Sequence, residues 1–180
     1  MELLVDTTIK LELVKDDHAE GIYQVAAGSR EHLREWLPWV DQMKSVEFIK
    51  KFINGSKERY EEGQEYAFVI MENDKVMGRI GIYKMDAHNK IGEIGYWIGK
   101  EAQGRGIVLK SCKALINFCF NSLHLNRIEI KCGTGNSRSQ AIPEKLRFTK
   151  EGVIRRGELV HGKLIDLNSY SLLREELPTD

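Results

Sequence analysis

The residues Gln103-Gly104-Arg105-Gly106-Ile107-Val108 stand between a strand-like run, IGEIGYWIGK, and a run with apolar residues at helical spacing, LKSCKALINFCFNSL. Two glycines around an arginine at such a junction suit the holding of an anion. The first turn of a helix presents backbone N–H groups that have no intrahelical partner, and the helix dipole adds partial positive charge there. The side chains missing at Gly104 and Gly106 let a phosphate approach that backbone. Better-known phosphate loops do not fit. A dinucleotide fingerprint needs a third glycine where Leu109 stands, and no Gly-Lys-Ser/Thr ends a nucleotide loop. The chain also lacks a G-x-S-x-G elbow, an H-E-x-x-H pair and a calcium loop, so no metal is expected. A second chemical candidate is Glu93, a carboxylate interrupting an otherwise apolar strand. Aimed into a cleft, it would have a raised pKa useful to a base; on a solvent face it would do nothing of the kind.

The elements that must position these residues are legible in outline. TTIKLELV alternates as a strand does, and KDDHAEGIYQVAAGS reads as a helix with acidic residues near its start and Gly28 near its end. REHLREWLPWV reads as a short helix broken at Pro38, and SVEFIKKFINGSKERYEEG as an amphipathic one. EYAFVIM and KVMGRIGIY are strands joined through END, and KIGEIGYWI completes an antiparallel meander. After the glycine loop, Val108, Cys112, Leu115, Ile116, Cys119, Phe120 and Leu123 repeat at three-to-four spacing, which predicts a helix. RIEIKC follows as a strand parallel to the previous one, NSRSQAIPEKL as a shorter helix, and ELVHGKLIDLNSYSLL as a hairpin turning at His161-Gly162. The order predicts an α+β protein on a mixed sheet, antiparallel first and parallel at its middle.

Length and composition set bounds. The 180 residues suit one domain spanning residues 1–180. Lysines plus arginines equal aspartates plus glutamates, 27 of each, so the chain has no bulk basicity for nucleic acid, and no direct nucleic-acid binding is expected. Cys112, Cys119 and Cys132 lack C-x-x-C spacing and read as core thiols of a reducing compartment. There is neither a basic leader nor an apolar run of membrane-spanning length, so a cytoplasmic protein without membrane attachment is expected.

Taken together, IGYWIGKEAQGRGI, the amphipathic helix after it, and N-x-x-S followed by EKLRF resemble the GNAT superfamily of acetyl-CoA-dependent N-acetyltransferases. The resemblance is closest to the Rim type, which acetylates ribosomal-protein N-termini, and it spans most of the chain. The superfamily's Q/R-x-x-G-x-G/A pattern falls on Gln103, Gly106 and Val108. It implies a sheet splayed between its middle parallel strands and flanked by helices. It also implies that the backbone of Gln103, Gly104, Arg105, Gly106, Ile107 and Val108 holds the pyrophosphate of coenzyme A. The main chain of Trp97 and Ile98 would pair with the pantetheine arm, and Asn136 would touch it from the other side.

The same resemblance supplies catalytic candidates. Glu158 matches a glutamate proposed as general base, with Glu93 its competitor, and Ser139 matches a serine proposed to protonate the departing thiolate. The Ile98 N–H would stabilise the carbonyl oxygen. Three residues depart from the pattern. Pro143 stands where many GNAT enzymes carry an acidic tyrosine, and its missing N–H is expected to bend the helix. Val108 replaces a glycine or alanine, tightening the cradle, and Arg147 replaces a glycine at a helix end, so the turn there is expected to differ. Trp36 and Trp39 lie where relatives build an acceptor wall, and serve equally as packing or a homodimer contact.

Keeping an α-amine neutral costs about 3 kcal/mol less than keeping a lysine neutral, from reference pKa values of about 7.7–8.0 and 10.4. That favours a protein or peptide N-terminus, for instance of a ribosomal protein, as the acceptor. The alternatives are a small-molecule amine (antibiotic, polyamine or amino acid) and a non-catalytic acyl-CoA-binding sensor.

Overall fold

The computed structural model describes residues 1–177. The alternating N-terminal segments form β1 (Glu2–Leu4) and β2 (Ile9–Leu13). Three helices follow: α1 (Ala19–Gly28), α2 (Arg30–Arg34) and α3 (Val46–Glu61), the last capped by the Ser45 hydroxyl on the Phe48 N–H. α2 ends at Arg34, short of Pro38, because the chain turns at Glu35 and Trp36 before the proline is reached. Strands β3 (Tyr66–Glu72), β4 (Lys75–Asp86) and β5 (Ile91–Ile98) make the expected meander. Then come α4 (Ile107–Asn121), β6 (Arg127–Gly133), α5 (Ser137–Lys145) and the hairpin of β7 (Thr149–Val160) and β8 (Lys163–Leu173), which turns at His161-Gly162 as read from sequence.

The eight strands lie in the order β1-β2-β3-β4-β5-β6-β8-β7. β5 and β6 are parallel and pair only over Ile91–Glu93 against Arg127–Glu129. Beyond Glu93 the two strands part, and β5 from Ile94 to Ile98 is paired only on its β4 side. This is the expected splay.

Strand periodicity divides the core into two layers. Phe68, Ile70, Ile80, Ile82, Ile94, Ile128 and Ile130 pack against Cys112, Leu115, Ile116, Cys119 and Phe120 of α4. Ala67, Val69 and Trp97 face Ile22, Ile49 and Ile53 of α1 and α3 on the other side. The three cysteines are buried and unpaired.

Besides the end of α2, which falls short of Pro38, a second expectation fails. The helix end at Arg147 does not depart from the glycine-type turn: Arg147 itself adopts the left-handed conformation, φ 62°. The Phe148 N–H bonds the Pro143 carbonyl at 2.9 Å and the Arg147 N–H bonds that of Glu144 at 3.1 Å, a Schellman closure. Two hydrogen bonds and the burial of Phe148, 6% exposed, offset the strain of an arginine there.

Candidate active site

Gly104 and Gly106 both have positive φ, 73° and 74°, and Gly106 caps α4 in the left-handed region. An added Cβ at either would meet nothing within 4 Å, so conformation, not crowding, requires glycine, and the loop's outer side is open to an approaching group. The first intrahelical bond runs from the Lys110 N–H to the Gly106 carbonyl at 3.1 Å. No acidic side chain stands in this first turn. The N–H groups of Ile107 to Leu109 therefore suit polyphosphate.

The side chains of the loop point elsewhere and brace it. Arg105 donates to Glu72 of β3 at 2.6 Å. The Gln103 amide bonds His32 of α2 at 2.8 Å and accepts from Arg138 of α5 at 2.8 Å, tying the loop to both neighbouring elements. Burial, then the charges of Arg138 and Lys100, push His32 below its ordinary range. Ile107 is buried under the helix start, while Val108 is half-buried and packs on the α4 core. Just upstream, the Lys100 N–H donates to Ser29 at 2.9 Å, fixing the exit from β5.

The open edge of β5 leads away from this loop. Trp97 is 8% exposed and packs on Trp39, ring centroids 6.1 Å apart, and Ile98 is half-buried against the α4 layer, so their side chains belong mainly to the core. Trp36 lies over the far end of β6: a Cβ added at Gly133 would sit 3.0 Å from its ring.

Glu93 and Trp97 share the face of β5 toward α1 and α3; Ile94, Tyr96 and Ile98 share the other. On the first face Glu93 is held by Lys131 at 2.8 Å and Lys84 at 3.2 Å. Lys131 also reaches Glu129 at 3.0 Å. Glu158 sits beside this network. A bulge between Ile154 and Glu158, with the Arg156 N–H tied to Asp166 at 2.7 Å, aims it there. Burial, and then the charge of Glu93, raise its carboxyl above the usual range, with Lys84 pulling it down.

On the opposite face, Asn136 caps α5 by accepting from the Ser139 N–H at 3.0 Å. Ser139 is therefore not the cap; its hydroxyl donates to the Tyr96 phenol at 3.2 Å. Tyr96 in turn donates to the Ser139 carbonyl at 2.9 Å. The Cys132 thiol, 4% exposed, lies beside them and is pushed up by burial. Tyr96, Lys131 and His32 were not singled out in the sequence. The alternation of IGYWI places Tyr96 toward the α4–α5 side, and Pro143 signals that the Ser139 carbonyl needs a partner; Lys131 and His32 carry no local signal.

A model of the acetyltransferase (GNAT) domain matches residues 8–149, and the chain belongs to that family. It is therefore an acetyl-CoA-dependent acetyltransferase that acts on an amine. It is 32% identical over 173 residues to YdaF of Bacillus subtilis (strain 168), whose name as a ribosomal N-acetyltransferase is provisional, covering 96% of this chain and 94% of that one. It is 29% identical over 167 residues to the ribosomal-protein-serine acetyltransferase of Escherichia coli (strain K12), covering 93% of each. Among solved structures, RimL, a ribosomal L7/L12 alpha-N-protein acetyltransferase in complex with coenzyme A, superposes with a TM-score of 0.93 at 26% identity, over 96% of this chain and 98% of that one.

Proposed function

We propose that this protein acetylates the α-amine of a protein or peptide N-terminus, of the kind a ribosomal protein presents, with Glu158 as base and Ser139 facing the departing sulfur. The observation that carries the assignment is the placement of these two residues on opposite faces of the open β5 edge. Glu158 stands with Glu93 on the α1–α3 side, and Ser139 is bonded to Tyr96 on the α4–α5 side. The names of the relatives, two of them ribosomal-protein acetyltransferases, support the choice of acceptor.

Acetyl-CoA supplies the acyl group as a thioester. Amides of Gln103 to Val108 hold its polyphosphate, the main chain of Trp97 and Ile98 guides the pantetheine arm, and Asn136 flanks that arm. The Ile98 N–H would bond the thioester oxygen. The acceptor enters from the side of Trp36, Trp39 and Glu158. Glu158, directly or through one water, takes the ammonium proton and leaves the amine free to attack. Glu93 is less suited to that task because two lysines already occupy its oxygens; its charge instead raises the basicity of Glu158. An α-amine needs only a modest base of this kind, which matches a half-buried carboxylate better than it matches the neutralisation of lysine.

The test is thiol release from acetyl-CoA with peptides beginning Ser or Ala, the same peptides with a blocked terminus, and a panel of polyamines, amino acids and aminoglycosides, with mass spectrometry to locate the acetyl group. Acetylation of the free α-nitrogen, abolished by blocking, is expected. Turnover confined to the small amines would overturn the acceptor assignment.

A further inference from the structure

In a helix the carbonyl of Ser139 would accept from the N–H of residue 143, and Pro143 has none. α5 nonetheless continues from Ser137 to Lys145. The freed carbonyl is bonded from outside the helix, by the Tyr96 phenol at 2.9 Å. The Ser139 hydroxyl donates back to the phenol oxygen at 3.2 Å, and Asn136 accepts from the Ser139 N–H at 3.0 Å. All three polar groups of Ser139 are thus held, two of them by Tyr96. Tyr96 immediately precedes Trp97 and Ile98, and stands on the same face of β5 as Ile98. The resemblance to other acetyltransferases places a tyrosine at position 143; here proline occupies that position and a phenol reaches the same turn from the neighbouring strand.

Neither hydroxyl suits outright protonation of a thiolate. A thiol titrates near 8.5 and a free phenol near 10, so the transfer runs uphill by about 2 kcal/mol. Burial pushes the Tyr96 phenol further up still. Either hydroxyl can donate a hydrogen bond to a thiolate, and such charge-assisted bonds are roughly twice as strong as neutral ones.

We propose that Tyr96 is a positioning residue: engaged by the carbonyl that Pro143 leaves free, its phenol fixes the Ser139 hydroxyl at the end of β5, where that hydroxyl meets the departing thiolate of coenzyme A. This rests on the assignment of Ser139 made above. As the carbon–sulfur bond breaks, its electron pair stays on sulfur. The Ser139 O–H turns from the phenol oxygen to that sulfur, while Tyr96 keeps its own proton on the Ser139 carbonyl. No proton leaves either residue. The thiolate afterwards takes from solvent the proton that the acceptor nitrogen releases.

The experiment titrates the thiol of bound coenzyme A through the ultraviolet absorbance of its thiolate, subtracting the same protein bound to desulfo-coenzyme A. In the wild type the bound thiol should ionise at lower pH than free coenzyme A. Tyr96→Phe and Ser139→Ala should each reduce the ionisation constant about tenfold, the scale of one charge-assisted hydrogen bond. The double variant should lose no more than the larger single effect. The Michaelis constant for acetyl-CoA should stay unchanged while kcat falls. Pro143→Ala returns an N–H to the Ser139 carbonyl, competes with the phenol, and should move the titration the same way by less. Coenzyme A binding with an unmoved titration in Tyr96→Phe would overturn the proposal, as would fully additive losses in the double variant. If Tyr96→Phe does not fold, an unmoved titration in Pro143→Ala overturns it equally. Failure of the wild type to bind coenzyme A would instead sink the cofactor site itself.

Discussion

Glu158 and Glu93 are both carboxylates beside the open edge of β5, and their surroundings separate their roles. Burial and the neighbouring charge of Glu93 raise Glu158, so it stays protonated to higher pH than a free glutamate and activity should climb through that raised value. Removing the neighbouring charge with Glu93→Gln lowers the Glu158 pKa, and the acidic limb of the kcat/KM profile should move to lower pH. Lys84→Met should move it to higher pH. Glu158→Gln should reduce kcat about a hundred- to ten-thousand-fold with the acetyl-CoA KM unchanged, the usual contribution of one proton-transfer group. A profile that Glu93→Gln leaves in place would refute the coupling. Glu93 is conspicuous in the sequence because it breaks an apolar strand. Its environment is not, since Lys84 and Lys131 come from β4 and β6 and approach it only once the sheet forms.

At the scale of elements, the end of α5 shows how hydrogen bonding overrides a local preference. Glycine is favoured at the position of Arg147 because a left-handed residue with a Cβ costs about 1–2 kcal/mol. The Schellman bonds and the buried Phe148 keep the turn despite that cost. Arg147→Gly should therefore raise stability by up to about 1 kcal/mol, part of the relief being lost to the freer unfolded chain. A higher urea midpoint at unchanged slope is the expected outcome; a lower midpoint would mean that the arginine side chain itself contributes. The same helix contains Pro143, whose missing N–H is legible in the sequence, whereas the phenol that fills the gap belongs to a strand far away along the chain.

For the whole molecule, pH acts through groups the fold has moved from their ordinary values. His18 and His32 are lowered chiefly by burial, so the unfolded chain binds their protons first. Stability should begin to fall as pH drops below about 6.5, the unperturbed histidine value. Glu12, lowered to about 2 chiefly by Lys10, and Glu151, lowered to about 2 chiefly by Arg127, act lower down. Their contribution is intact above the ordinary glutamate value of 4.5 and disappears as pH falls toward 2. Urea midpoints measured from pH 8 to pH 3 should show both stages, and His18→Gln should flatten the upper one. A midpoint flat down to pH 5 would contradict the burial of these histidines as neutral groups. By itself, the sequence determined the order of strands and helices, the glycine-bounded helix start and the buried faces, because periodicity, capping and turn conformation are properties of neighbouring residues. Only the tertiary structure decided that the parting of β5 and β6 begins after Glu93, that lysines bind Glu93 and not Glu158, and that Tyr96 bonds the carbonyl left free in α5. Those relations depend on which distant segments share a sheet face, and in a sheet that is set by long-range packing and register.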